Sequence, residues 1–253
     1  MEILTKGEYA YRRLHDDILN GKLPGGSRLI VKELAEEYQI SSMPIRNAIT
    51  RLEELGLVRT SAHQGAWVAE MNLRDYFTFM LLRIEAEAIA ATFAAQRCDA
   101  GTIEQLTSLH HKMEATISSK SYESYGRSNR KFHNIVCEAS GNPALVEQVN
   151  QLMNRTQLAV SLFNIDPNSR KESCREHGAL IQALEARDPA RSAAIIRYQR
   201  CRANLALLHA IQTHSPAVES NHVLKAAAEN GTGLQCVEEF LPVFEAIREK
   251  NAF

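Results

Sequence analysis

The stretch from Ser27 to Ala69 constrains the fold more than any other part of the chain. It runs Ser27-Arg28-Leu29-Ile30-Val31-Lys32-Glu33-Leu34-Ala35, then Ile40-Ser41-Ser42-Met43-Pro44-Ile45-Arg46-Asn47-Ala48-Ile49, then Leu52-Glu53-Glu54-Leu55-Gly56-Leu57-Val58, then Gly65-Ala66-Trp67-Val68. Leu34 and Ala35 point inward from a short amphipathic helix over 31–38. Ser41 stands as N-cap of a second helix, and Pro44 suits its first turn, where a missing N–H costs nothing. Ile45, Ile49 and Leu52 form that helix's inner stripe, so Arg46 and Thr50 fall off it. Gly56 ends the helix. Residues 57–60 and 66–69 alternate as strands around a tip at 61–65. Helix, tight turn, helix and hairpin in this order are the layout of a winged helix-turn-helix, which offers one helix N-terminus to a DNA groove.

The flanking segments fix the rest of the architecture. Residues 5–20 read as a helix with Tyr9, Leu14 and Ile18 near helical spacing, and Thr5 with Glu8 fits a capping box. Gly21, Pro24, Gly25 and Gly26 then break the chain. After Met71 strands give way to alanine- and leucine-rich helices over roughly 73–97, 101–119, 122–140, 143–163, 170–187 and 189–212. Gly141-Asn142-Pro143, Asp166-Pro167-Asn168 and Asp188-Pro189 mark the breaks. Two more helices, 217–229 and 235–250, follow Ser215-Pro216. The expected fold is therefore mainly α. A winged helix-turn-helix over 1–70 precedes an all-α antiparallel bundle over 74–212, and 213–253 is a helical extension of unassigned role.

Composition narrows the classes. At 253 residues two domains are expected. Net charge is −1, and residues 1–70 hold nine Lys/Arg against ten Asp/Glu, so DNA affinity must come from local placement. The stretch 41–52 supplies it, with Arg46 and Arg51 and no acid. The five cysteines form no CxxC pair and read as reduced cytosolic thiols. No run approaches the ~18 apolar residues of a membrane helix, and the N-terminus lacks a signal pattern. The expected location is cytoplasmic, with no membrane partner.

Phosphate contacts position a protein on DNA, whereas base-edge contacts specify sequence. Ser41, Ser42 and Met43 with Pro44 form the tip of the second helix, where backbone N–H groups suit phosphate oxygens. Arg46, one turn further in, suits a bidentate contact to guanine. Lys32 on the preceding helix suits backbone or base, and Gly65 allows the wing to approach the minor groove.

These residues resemble the GntR family of bacterial transcription regulators. The family's pattern is met by Leu34, Ala35, Ile40, Ser41, Pro44, Ile45, Arg46, Ala48, Ile49, Leu52, Gly56, Leu57, Val58, Gly65 and Val68. It departs at Ser42 and Met43, where many members carry arginine then threonine, and at Asn47, where many carry glutamate. The operator sequence is therefore expected to differ. Residues 75–212 resemble the FCD effector domain of the FadR subfamily, through Arg83-Ile84-Glu85-Ala86-Glu87, Asn129-Arg130-Lys131-Phe132-His133, Ser140-Gly141-Asn142-Pro143 and Glu176-His177.

Asn129 and His133 lie at i and i+4 on one helix face, and His177 stands on a later helix; inward polar groups on several helices of a bundle make a ligand or metal site. The resemblance implies a divalent-metal cage, for zinc or nickel, of one Asp or Asn and three histidines. Here Asn129 stands in the first position, with His133 and His177 following. Gln199 occupies the position of the third histidine. Two neutral amides in place of a carboxylate and an imidazole weaken such a site. Without metal, Asn129, His133, His177 and Gln199 suit direct hydrogen bonds to an organic ligand, and Arg83 suits a carboxylate. His110, His111, His209, His214 and His222 are expected at the surface. Leu81, Leu82, Ile84, Ala88 and Ala91 suit either core or a dimer seam.

The resulting expectation is a homodimeric, ligand-responsive transcription regulator and repressor that binds operator DNA and senses a small organic acid. Two alternatives are a metal-dependent enzyme in the helical part and a DNA-binding regulator whose vestigial sensor is controlled by a protein partner. Against the enzyme, the sequence holds no HExxH, no GxSxG, no Gly-rich phosphate loop and no carboxylate next to the histidines.

Overall fold

The computed structural model describes residues 5–19, 22–61, 64–70, 72–117, 122–162, 167–213, 216–219, 225, 228 and 233–252. Helix α1 (Lys6–Leu19) opens with the Glu8 N–H donating to the Thr5 hydroxyl, one half of the expected capping box. The Glu8 carboxylate turns instead to Arg12 and Arg51. Strand β1 (Arg28–Leu29), too short to be seen in the sequence pattern, leads into α2 (Val31–Tyr38) and α3 (Ser42–Glu54). The turn between them works because Gln39 adopts a left-handed conformation, φ 56°. Gly56 (φ 72°) ends the α3 segment, where the Leu57 N–H reaches the Leu52 carbonyl and the Gly56 N–H that of Glu53.

Strands β2 (Val58–Ser61) and β3 (Gly65–Val68) complete an antiparallel sheet in the order β1-β3-β2. The register pairs Trp67 with both Arg28 and Arg59, so those three side chains share the outward face. Leu29, Ala66, Val68 and Val58 face inward, onto Leu14, Ile18, Ile45, Ala48, Ile49 and Leu52. Burying each of the large aliphatic side chains is worth about 1.5–3 kcal/mol, which fixes how α3 is presented.

Helices α4 (Leu73–Arg97), α5 (Ala100–Thr116), α6 (Tyr122–Glu138), α7 (Pro143–Leu162), α8 (Pro167–Glu185) and α9 (Pro189–Gln212) form the all-helical part. Asn72, Asp99 and Asp188 cap α4, α5 and α9 through side-chain oxygens. A short α10 (Pro216–Glu219) and a long α11 (Gly233–Lys250) follow. α4 packs along α9 and α7, and α11 packs along α9 and the start of α4.

Among the described residues two large apolar cores stand beside a small cluster of Ala90, Cys137, Val149 and Met153. The first runs from the α1–α3 and sheet residues through Leu73, Phe77, Met80 and Ile84 of α4 to Cys201, Leu205 and Leu208 of α9 and Phe240 and Phe244 of α11. The second holds Ala88, Ala91 and Ala95 of α4, Phe132 of α6 and Ile195 and Ile196 of α9, among others. On both α4 and α9 the change from one core to the other falls where charged residues are buried.

Candidate functional site

The tip of α3 is exposed. Ser41 is its N-cap by backbone conformation, yet its hydroxyl makes no capping hydrogen bond. The first backbone N–H groups and that hydroxyl are left for an external acceptor. Ser41, Ser42 and Arg46 are exposed, Met43 is 67 % exposed, and Pro44 is half-buried in the first turn. Lys32 is exposed on the neighbouring α2.

Gly65 sits at the wing with φ 118°, a conformation that favours glycine, and the Arg28 guanidinium lies against it. Arg28 also donates to the Gln64 carbonyl at 2.9 Å, just before β3. Residues 62 and 63 of that tip lie outside the described residues. Arg28 and Arg59, exposed on either side of Trp67, were not singled out from the sequence. Their signal would have been the strand register, which needs β1 to be recognised.

Arg51 does not belong to this face. It donates to Glu8 at 3.0 Å and lies 3.7 Å above the Tyr11 ring centroid, so it fastens α3 to α1. Arg46 is therefore the exposed cation of residues 41–52, and Lys32, Arg28 and Arg59 are exposed on neighbouring elements.

The second candidate is the buried polar layer between the two cores. Glu87 of α4 is 1 % exposed. One of its oxygens accepts from Arg83 Nε at 2.6 Å; the other accepts from Arg200 Nε at 2.9 Å and Nη2 at 2.8 Å. Arg83 also donates to the Thr156 hydroxyl of α7 at 2.8 Å. Burial would raise the Glu87 pKa, but the two guanidiniums outweigh it and hold the carboxyl below its usual range. Arg83 was expected to await a ligand; it is 6 % exposed and already holds an internal carboxylate. Glu87 Oε2 lies 3.5 Å from His133 Nδ1, which corrects the expectation that no carboxylate stands beside the histidines.

His133 and His177 meet as expected, Nε2 to Nε2 at 3.2 Å, on α6 and α8. Phe132 packs edge-on against His177 with ring centroids 4.5 Å apart. Burial first, then the positive charge of Arg200, drives both imidazoles towards the neutral form; His177 is pushed down to about 3. Next to His177, Glu176 forms a two-point pair with Arg202 that ties α8 to α9. Gln199 is 4 % exposed and donates to the Ser173 carbonyl and hydroxyl at 3.4 Å, one turn before His177. Its Oε1 and the His177 Nδ1 are buried without a hydrogen-bond partner. Asn129 is half-buried one turn from His133.

His110 departs from expectation, being half-buried against Gly178 with its pKa lowered by burial. His111 and His209 are exposed; His214 and His222 lie outside the described residues.

The metal implied by the family's pattern finds a poor donor set here. Two Nε2 atoms 3.2 Å apart suit neighbouring ligands about 2.1 Å from one ion. Beyond them stand neutral amides, and the adjacent carboxylate is committed to two arginines. Among the described residues no group of three or more His, Cys, Asp or Glu side chains is placed to hold a metal ion. No helix among them is long and apolar enough to cross a membrane.

Comparison with known proteins agrees with this anatomy. Residues 6–68 match the family of bacterial regulatory proteins, gntR family, and residues 79–199 match the FCD domain. The HTH-type transcriptional regulator McbR of Escherichia coli is 28 % identical over 170 residues, covering 66 % of this chain and 77 % of that protein. The HTH-type transcriptional repressor GlaR of Escherichia coli is 25 % identical over 202 residues, covering 74 % and 89 %. The solved structure of E. coli McbR/YncC superposes with a TM-score of 0.59 at 25 % identity, covering 84 % of this chain and all of that one. A winged helix-turn-helix joined to a helical FCD domain, with these relatives, makes the chain a member of the GntR family of helix-turn-helix transcription regulators.

Proposed function

We propose that the protein is a homodimeric repressor that grips an operator through α3 and the wing of each copy, and releases it when a small organic acid enters the polar layer between the two cores. The observation that carries the DNA reading is the unengaged tip of α3: an exposed Ser41-Ser42-Met43 with a hydroxyl that caps nothing, and an exposed Arg46 one turn in. Ser41, Ser42 and Pro44 place the helix N-terminus on phosphates, and Lys32 supports it. Met43 and Arg46 meet base edges, and Gly65 lets the wing come close to the duplex. Met43 offers an apolar surface where many members carry threonine, so the selected operator favours a thymine methyl there.

The acid is supported by charge. Two buried guanidiniums face one buried carboxylate, so the layer carries an unbalanced positive charge. The position of the layer supports the response: Arg83 and Glu87 lie on α4 between Met80 and Ile84 of one core and Ala88 and Ala91 of the other. A ligand that binds one arrangement of that seam better shifts the arrangement of the DNA-reading modules. Repression is supported by relatives titled repressors, RspR and GlaR of Escherichia coli. For the dimer, Ile84, Ala88 and Ala91 are committed to the cores. Leu82 (56 % exposed) and Ile89 (46 % exposed), two turns apart on α4, supply the seam. The place of action is the cytoplasm, where operator DNA is.

The test is selection of duplexes from a random pool by the purified protein. A two-fold symmetric pair of half-sites is expected, and Arg46→Ala should lose the preference at one position of each. Binding without sequence enrichment would overturn the reading.

A further inference from the structure

We infer that the layer formed by Arg83, Glu87, Arg200, His133, His177 and Gln199 takes the carboxylate of its effector directly, as a monoanion, and works without a divalent metal. This rests on the proposed reading of the layer as an effector site. Three observations converge on it.

Charge comes first. Arg83 and Arg200 both end on Glu87, through contacts of 2.6–2.9 Å, and all three residues are at most 9 % exposed. Two guanidiniums against one carboxylate leave an excess of one positive charge. A monocarboxylate brings the layer to neutrality, whereas a divalent cation would bring it to plus three. Uncompensated charge out of water is expensive, so the layer favours the anion.

Ligand chemistry comes second. Zinc and nickel sites of useful affinity need deprotonated or imidazole donors. The layer offers two imidazoles, joined to each other Nε2 to Nε2, and its carboxylate is held by the arginines. Gln199 adds an amide that already spends its N–H groups on Ser173.

Third, His177 Nδ1 and Gln199 Oε1 are polar atoms buried in the layer with no partner. A buried polar group without a hydrogen bond is costly, and a small polar molecule relieves that cost. Arginine forks bind the carboxylate end of such a molecule, and these atoms suit its remaining polar groups.

The experiment is a thermal-shift titration of the full-length protein, dialysed against EDTA, with acetate, lactate, succinate and gluconate, each with EDTA and then with excess zinc or nickel. At least one of the monocarboxylates acetate, lactate and gluconate should raise Tm by about 5–10 °C near 100 times its Kd in EDTA, more than the dianion succinate does, with no further gain from metal. Elemental analysis should find no stoichiometric metal in the purified protein. Gln199→Met should weaken that acid about tenfold, and Asn129→Asp with Gln199→His should acquire a zinc- or nickel-dependent rise in Tm that the natural chain lacks. If acids act only when metal is supplied, or one metal ion per chain survives dialysis, the inference is overturned while the effector reading stands. If no acid raises Tm with or without metal, both are overturned.

Discussion

Arg46 and Arg51 sit five residues apart on α3 and do opposite work. Arg46 is exposed, so Arg46→Ala should weaken operator binding by about 1–3 kcal/mol and relax the base preference it reads, with little change in stability; fluorescence anisotropy on matched and mismatched duplexes measures it. Arg51 is bonded to Glu8 and stacked on Tyr11. Arg51→Ala should therefore lower unfolding stability by about 0.5–2 kcal/mol and leave sequence preference intact. Helical spacing separates Arg46 from the inner stripe in the bare sequence, but it does not say that Arg51 is captured by α1, a partner 43 residues away. The same limit hides Glu87. It stands next to Arg83 on one helix, yet its role comes from Arg200, 113 residues further on. Glu87→Gln should destabilise by about 3–5 kcal/mol, because it leaves two buried guanidiniums without a counter-charge. The pH dependence has a definite sign. The folded carboxyl titrates below its usual range, so its stabilisation is complete above the unfolded value near 4.3 and is lost as pH falls through the folded value. Denaturant unfolding from pH 7 to pH 3 should show a steeper acid loss in the natural chain than in Glu87→Gln.

The helices were legible wherever a cap or a breaker fixed their ends. α4 and α9 occupy 73–97 and 189–212 as the punctuation predicts, and Asp188 before Pro189 caps α9 as its chemistry suggests. Strand β1 was not legible, because two residues are too few for an alternation to register. Ser41 shows a subtler gap. Its position as N-cap follows from residue type, but that its hydroxyl makes no capping bond depends on a rotamer the sequence does not encode. The residue pattern beyond 213 predicts helices but no role for them. α11 supplies one: Phe240, tilted, and Phe244, edge-on, pack against Phe77 with centroids 5.4 and 6.0 Å away, and Glu239 pairs with Arg74 at 3.0 Å. It thus braces the first turns of α4, which carry the chain from the wing into the bundle. Phe244 is fully buried, so Phe244→Ala should cost about 3–5 kcal/mol in stability. A calorimetric scan that left Tm unchanged would show that α11 does not share the core.

Two apolar cores share helices α4 and α9, and a buried layer of paired charges lies where they meet. An apolar seam would tolerate small sliding at little cost. A seam of paired charges prefers discrete arrangements, since each rearrangement must keep Glu87 matched to its arginines. Ligand charge placed there acts on both cores at once, one of which is continuous with the packing of α1, α3 and the sheet. The coupling is reciprocal: an acid that lowers operator affinity must itself bind less tightly to the operator complex by the same factor. The most direct test is the affinity of the full-length protein for its selected operator, measured by anisotropy at fixed ionic strength with and without the acid that raises Tm in EDTA. A fall of about 5–150-fold in operator affinity, abolished by Gln199→Met at an intermediate acid concentration, is the predicted result. An operator affinity that does not change when the acid saturates its site would contradict the account.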